Sequence, residues 1–341
     1  MFKKGISFIF IGAVLLLFSN GLQAQEMQSE SLDIRQLNNI LTLEGSTQNG
    51  AYKIKIPQND LNISVDGFKI IPPMGATSWV AFTPAPEGAW IMGDIVVTED
   101  ELGAVEAELF RQGLHATALH KHFLGEEPRV MYMHVGGSGD QEELARSVRA
   151  VLDKIETLRG GDPAKASTSP VENTLNTEAI ANIIGHEGST TDGVFKISIG
   201  RPDVHLEMSG KEHEGYEEEH EEHGEESDEH KEHHENEDSE VHVTAFTGFN
   251  TWAAFQGTPE KAAVAGDFAM RAGEVEPVMK TLVENGFKVV SLHNHMIDEH
   301  PRIFFLHYWG TGNAQELAKG LREALNQTGK MERHEDEEME E

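Results

Sequence analysis

The chain has 341 residues, with 27 Lys and Arg against 59 Asp and Glu, a formal net charge of −32 and no Cys. So acidic a chain repels nucleic acid and anionic lipid head groups and favours cations. Without Cys there is no disulfide, no thiolate metal site and no lipid-bearing cysteine, and stability must come from packed cores.

The chain opens MFKKGISFIFIGAVLLLFSNGLQAQ, with two lysines, an apolar run from Ile6 to Phe18 and then small and polar residues. The run is shorter than the roughly 20 residues that a membrane span needs, and the order is that of a cleavable secretory signal. Residues 1–24 are therefore expected to be a signal peptide. The mature chain is expected to be exported, periplasmic or secreted, without membrane insertion after cleavage.

A helix is predicted from about Asp33 to Leu43, then short alternating stretches, "AYKIKI", "LNISV", "SWVAF" and "AWIMGDIVV", that read as strands. Thr98 and Glu101 have capping-box spacing and open a second helix, with Leu102, Val105 and Leu109 on one face and Gly113 at its stop. "HATALHKH" and "RVMYMHV" follow as strands joined by the turn-prone "FLGEEP". Asp140 then caps a helix whose Leu144, Val148, Val151 and Ile155 form a buried stripe.

The chain then repeats itself. "NNILTLEGSTQNGAYKIKI" (38–56) aligns with "ANIIGHEGSTTDGVFKISI" (181–199), and "ALHKHFLGEEPRVMYMH" (118–134) with "SLHNHMIDEHPRIFFLH" (291–307). The offset rises between these matches because residues 211–240 interrupt the second copy where the first runs through "VDGFKI" (65–70). The organisation expected is an α+β fold of two tandem copies of one domain, each an antiparallel sheet packed with two or three helices. The first would span 30–158 and the second 175–327, with "RGGDPAKASTSP" inside a linker at 159–174 and an acidic tail at 328–341. The insertion holds fourteen Glu and the histidines His213, His220, His223, His230, His233 and His234 in irregular spacing. Its composition cannot offset chain entropy, so it is expected to be disordered, either a weak metal collector or a solvating loop.

The duplicated motif carries the candidate chemistry. His120 and His122, at i and i+2 of a strand, leave the same face with Cα atoms ~6.5–7 Å apart. His134 is expected at the end of the neighbouring strand, Glu126 in the connecting turn, and Asp94 at the end of a strand in an apolar segment. His293, His295, His307, Glu299 and Asp267 occupy the matching places. Three imidazoles and a carboxylate in each repeat suit Zn²⁺ before Cu²⁺, Ni²⁺ or Fe²⁺. Trp79 and Trp252 read as core residues, and Arg129 and Arg302 as partners of the turn glutamates. No nucleotide-binding glycine pattern is present.

The motifs "ALHKHFLGEEPRVMYMHVGGSGD", "SLHNHMIDEHPRIFFLHYWGTG", "TSWVAF" and "MGDIVVTEDE" resemble the LppY/LpqO-like family of exported bacterial proteins, a duplicated domain of unknown function. That resemblance implies export and two copies, and brings no catalytic residues with it. His-x-His-x₃-Glu is also similar to the first cupin metal motif, but a helix directly precedes it and the third His follows too soon. The expected function is metal binding for storage, delivery or tolerance. A metal-dependent hydrolase or oxygenase using the same histidines, and a metal-free ligand-binding module, are the alternatives.

Overall fold

The structure is a computed structural model that describes residues 31–167, 169–171, 173–208 and 241–329. The expected signal peptide, the insertion 211–240 with its six histidines and the tail from 330 onward lie outside the described residues. Among those described, no helix is long and apolar enough to cross a membrane.

The first half runs α1 (Ile34–Leu41), β1 (Ser46–Gln48), β2 (Ala51–Pro57), β3 (Ile63–Val65), β4 (Phe68–Ile70), β5 (Thr77–Ala85), β6 (Gly88–Thr98), α2 (Leu102–Arg111), β7 (His115–His120), β8 (Val130–Gly139) and α3 (Gln141–Arg159). The second runs α4 (Thr177–Ile184), β9 (Gly188–Thr191), β10 (Val194–Gly200), β11 (Glu207–Met208), β12 (Asn250–Gly257), β13 (Ala262–Arg271), α5 (Ala272–Glu284), β14 (Lys288–His293), β15 (Glu299–His300), β16 (Ile303–Gly312) and α6 (Ala314–Leu325). Each half forms a six-stranded antiparallel sheet, in the order β1-β2-β5-β6-β8-β7 and, equivalently, β9-β10-β12-β13-β16-β14. The α+β fold with two similar antiparallel sheets is therefore observed, with three helices on each.

Strand alternation decides what each face of a sheet meets. In the first half Val80, Ile95 and Met133 point outward and join Leu37 and Leu41 of α1, Val105 and Leu109 of α2 and Leu144, Val148 and Val151 of α3 in one core. A matching core lies under α4, α5 and α6. The opposite faces of the two sheets meet each other, with Val96 and Tyr132 of the first half in one cluster with Val194, Ala254, Ala265 and Trp309 of the second. The result is four layers, helices outside and two sheets back to back inside. Polar contacts also cross this seam: Thr117 Oγ1 donates to the His295 carbonyl at 2.7 Å, Ser291 Oγ to that of Lys121 at 2.7 Å, and Trp309 Nε1 to Asp66 Oδ2 at 2.9 Å.

Several boundaries differ from the expected ones. β7 stops at His120, so His122 lies just beyond the strand. β8 is longer than "RVMYMHV" and places His134 in mid-strand, paired with Asp94 of β6, where it had been expected at a strand end. The β3–β4 hairpin turns at Asp66–Gly67, and β11 stands where β3 stands, pairing with β15 beside the start of the insertion. A surface hairpin turn is where extra residues disturb the backbone ladder least.

One buried ion pair recurs with its arginine drawn from different places. Glu101, before α2, accepts from Arg159 Nε and Nη2, both at 2.8 Å, and Arg159 also reaches the Val96 carbonyl. The equivalent Glu274 accepts from Arg201 Nη1 and Nη2 at 2.8 and 2.9 Å, and Arg201 reaches the Ala269 carbonyl. Removing one member leaves the other buried and unpaired. Glu274→Ala is expected to destabilise the chain by about 3 kcal/mol in urea unfolding, whereas Glu316→Ala, at an exposed position of α6, should change stability by less than about 0.5 kcal/mol.

Candidate metal centre

A row of side chains crosses each sheet on its inner face. Lys55, Trp79, Asp94 and His134 pair in register across β2, β5, β6 and β8, and Ser198, Trp252, Asp267 and His307 do so across the second sheet. Packing the two inner faces together brings all six motif histidines into one cluster. His120 and His293, equivalent residues of the two halves, stack with ring centroids 3.9 Å apart. His122 lies 3.8 Å from His307, and His134 lies 3.9 Å from His295.

Three groups bring ligand atoms within 4.8 Å of one another: Asp94 with His120 and His122; His134 with His293 and His295; and His120 with His293 and His307. The first two share no residue. The group of Asp94, His120 and His122 lies within the first repeat, as expected, whereas His134 is grouped with the His pair of the other half and His307 with His120 and His293. The sheets meet face to face, so each mid-strand His points across the seam.

Tautomers follow from the backbone. Nδ1 of His122, His134 and His307 each lies 3.0 Å from a carbonyl oxygen, of Gly75, Gly93 and Gly266 respectively. A carbonyl cannot donate, so Nδ1 carries the hydrogen and the Nε2 lone pair faces the cluster. This is the orientation of a metal-ligating imidazole held by its outer nitrogen. Close approach makes the glycines necessary: a Cβ on Gly93 would meet the Trp79 carbonyl at 2.6 Å, and one on Gly266 the Trp252 carbonyl at 2.2 Å. Gly75 has φ +119°, in the region that other residues rarely adopt.

The inner nitrogens are short of hydrogen. His122 Nε2 lies 3.1 Å from His120 Nε2, so His120 donates there and its Nδ1 is left without a partner. His134 Nε2, both ring nitrogens of His293 and of His295, and one oxygen each of Asp94 and Asp267 are likewise buried without a hydrogen-bond partner among the described residues. Asp94 Oδ2 lies 3.4 Å from His122 Nε2, and Asp267 Oδ2 lies 3.5 Å from His295 Nε2.

Burial drives all six imidazoles below their ordinary pKa, His122 to about 3, and crowding by the other imidazoles pushes His120 and His293 down further. Burial lifts Asp94 to about 6, against the pull of His134 and Lys53, and lifts Asp267 well above the carboxylate range. The cluster thus offers neutral imidazoles and acids that are easily deprotonated by a cation, which is the donor chemistry a divalent metal requires.

Glu126 and Glu299 are engaged within their own hairpins. Both are buried, and Glu126 accepts from Lys121 at 2.8 Å and Glu299 from the Ile303 N–H at 3.1 Å, so they hold the hairpins. Neither joins a candidate group. Arg302 does approach Glu299, at 3.7 Å, but Arg129 turns to Glu99 at 3.9 Å. Trp79 and Trp252 are partly buried, packed against hydrophobic clusters on one side and walling a cleft on the other.

That cleft, about 970 Å³, lies between the halves and is lined by Asp94, His122, His134, Asp267, His295 and His307 at one end. Lys53, Lys55 and Lys196 also line it. Sequence reasoning missed the lysines, although Lys53 and Lys196 hold matching places in "AYKIKI" and "VFKISI".

A family model described as Domain of Unknown Function (DUF1259) matches residues 35–154 and 228–327. The chain belongs to this family. The two matched regions fall one in each half, in agreement with a duplication. Neither the curated proteins nor the solved structures contain a match.

The proton balance makes the metal-free cluster acid-labile. An unfolded His takes up a proton below about pH 6.5, whereas the buried rings stay neutral, so the unfolded state gains protons and stability falls with falling pH. Asp94 and Asp267 oppose this, because they hold protons in the fold above the pH where free carboxyls lose them, but they are two groups against six. Chelator-treated protein is expected to lose several kcal/mol of stability between about pH 7 and pH 5. The six-fold variant carrying Gln at all the motif histidines should flatten that slope in thermal unfolding.

Proposed function

We propose that the protein binds divalent metal ions in the buried seam between its halves. The observation that carries this reading is the set of ring nitrogens and carboxylate oxygens, on His134, His293, His295, Asp94 and Asp267, that are buried without hydrogen-bond partners. Leaving so many polar atoms unmet costs free energy that a cation would offset. Two disjoint groups would hold two ions, one on Asp94, His120 and His122 of the first half and one joining His134 to His293 and His295 of the second. Nitrogen and oxygen donors without sulfur favour Zn²⁺, ahead of Cu²⁺, Ni²⁺ and Fe²⁺.

We further propose that the chain is exported as an LppY/LpqO-like protein and serves in metal storage, delivery or tolerance. In this reading His213, His220, His223, His230, His233 and His234 gather ions weakly for the tighter seam site. A second reading, a metal-dependent hydrolase or oxygenase, is favoured by one observation: the cluster opens into a cleft of about 970 Å³, which a simple store does not need.

Elemental analysis of untagged protein is expected to find about two tightly held metal ions per chain. They should be lost in His120→Ala/His293→Ala, and kept both in the deletion of 211–240 and in Glu126→Gln/Glu299→Gln. Wild-type protein without tightly held metal would sink both readings. Turnover of ester, phosphoester or oxidisable substrates that requires the metal would favour the second.

A further inference from the structure

The cleft above the cluster gathers three lysines, Lys53, Lys55 and Lys196, in a chain whose overall charge is −32. The Lys53 ammonium sits 3.6 Å from the centre of the Trp79 ring, and that of Lys196 sits 3.8 Å from the centre of the Trp252 ring. Each Trp in turn meets a motif histidine edge-on, Trp79 with His134 at 6.4 Å and Trp252 with His307 at 6.1 Å. The same Lys-on-Trp-on-His stack therefore occurs on both walls. Lys55, exposed beside Trp79 in register, adds a third ammonium.

None of these three lysines pairs with a carboxylate among the described residues. Lys53 donates to the Phe246 carbonyl at 3.0 Å. The acids that line the cleft among the described residues are Asp192 and, in the histidine cluster, Asp94 and Asp267, whose pull on Lys53 and Lys196 is outweighed by burial and by the neighbouring ammoniums. The ammoniums instead repel one another: burial first, and then Lys55 and Lys196, press Lys53 down to about 7, and burial with Lys55 presses Lys196 to about 8. Three like charges held around one cavity are relieved by an anion between them.

We propose that this cleft binds a small anion of at least two negative charges, a dicarboxylate or a phosphate compound, between Lys53, Lys55 and Lys196. Lysines act as point charges for such groups, and no arginine fork is present in the cleft to demand one planar carboxylate. The two tryptophans brace the ammoniums through their ring faces, so the charge is presented at a fixed place. The ligand's far end would lie toward the histidine floor. This goes beyond the metal reading and does not depend on it.

The test titrates chelator-treated full-length protein with inorganic phosphate and, separately, with succinate at pH 7 and low salt, reading tryptophan fluorescence. Saturable quenching or enhancement by at least one probe is expected, weakening as salt is raised. Lys53→Met/Lys196→Met, which keeps an apolar stem over each ring, should weaken binding at least tenfold with unchanged near-ultraviolet circular dichroism. Should that variant not fold, Lys55→Met, on an exposed position, should weaken binding severalfold. The idea is overturned if neither probe saturates, or if binding is the same in folded lysine variants.

Discussion

Burying six neutral imidazoles between two sheets sets a constraint that much of the molecule answers. Each ring must surrender its hydration, and a nitrogen without a partner in a dry interior is costly. Three of the rings place a hydrogen on a glycine carbonyl, which ties the glycines at 75, 93 and 266 to the histidines they face. Apart from the His120–His122 contact, the inner nitrogens of His134, His293 and His295 have no such answer among the described residues. Their lone pairs converge with two buried carboxyls in an arrangement that a polypeptide without a cation satisfies poorly.

Duplication explains how the cluster arises. A half alone presents an open sheet face with a row of Trp, Asp and His, and such a face would expose apolar residues together with the polar row. Pairing two copies face to face buries both at once and places equivalent residues against each other, as in the stacked His120 and His293. The halves have since diverged where geometry left room. The glutamate before α2 and the one in α5 each hold a buried arginine, yet one arginine comes from the end of α3 and the other from the residue after β10. The slot kept its charge balance while its supplier moved.

How much was legible beforehand varies residue by residue. The helices around Leu37, Val105 and Val148 announce themselves by apolar spacing and end caps, and β2, β5 and β6 by alternation, because these signals are local. The duplicated His-x-His motif named histidines that the fold gathers in one buried cluster. Glu126, four positions after His122, has a ligand-like spacing in the sequence, and only the fold shows it paired with Lys121. Trp79 and Trp252 pack against core clusters, and their second role as cleft walls was hidden, because an aromatic in a strand-like run says nothing of where the face it occupies ends.

The sequence by itself determined the duplication, the α+β character of each half, the place of the insertion and the identity of the clustered histidines, because repeats and periodicity are properties of chain order. Only the tertiary structure decided that His134 lies with His293 and His295, that the glutamates hold turns, and that Lys53 and Lys196 line one cleft. Those facts depend on how one sheet lies against another, and the spacing of residues along a single chain carries no record of that approach.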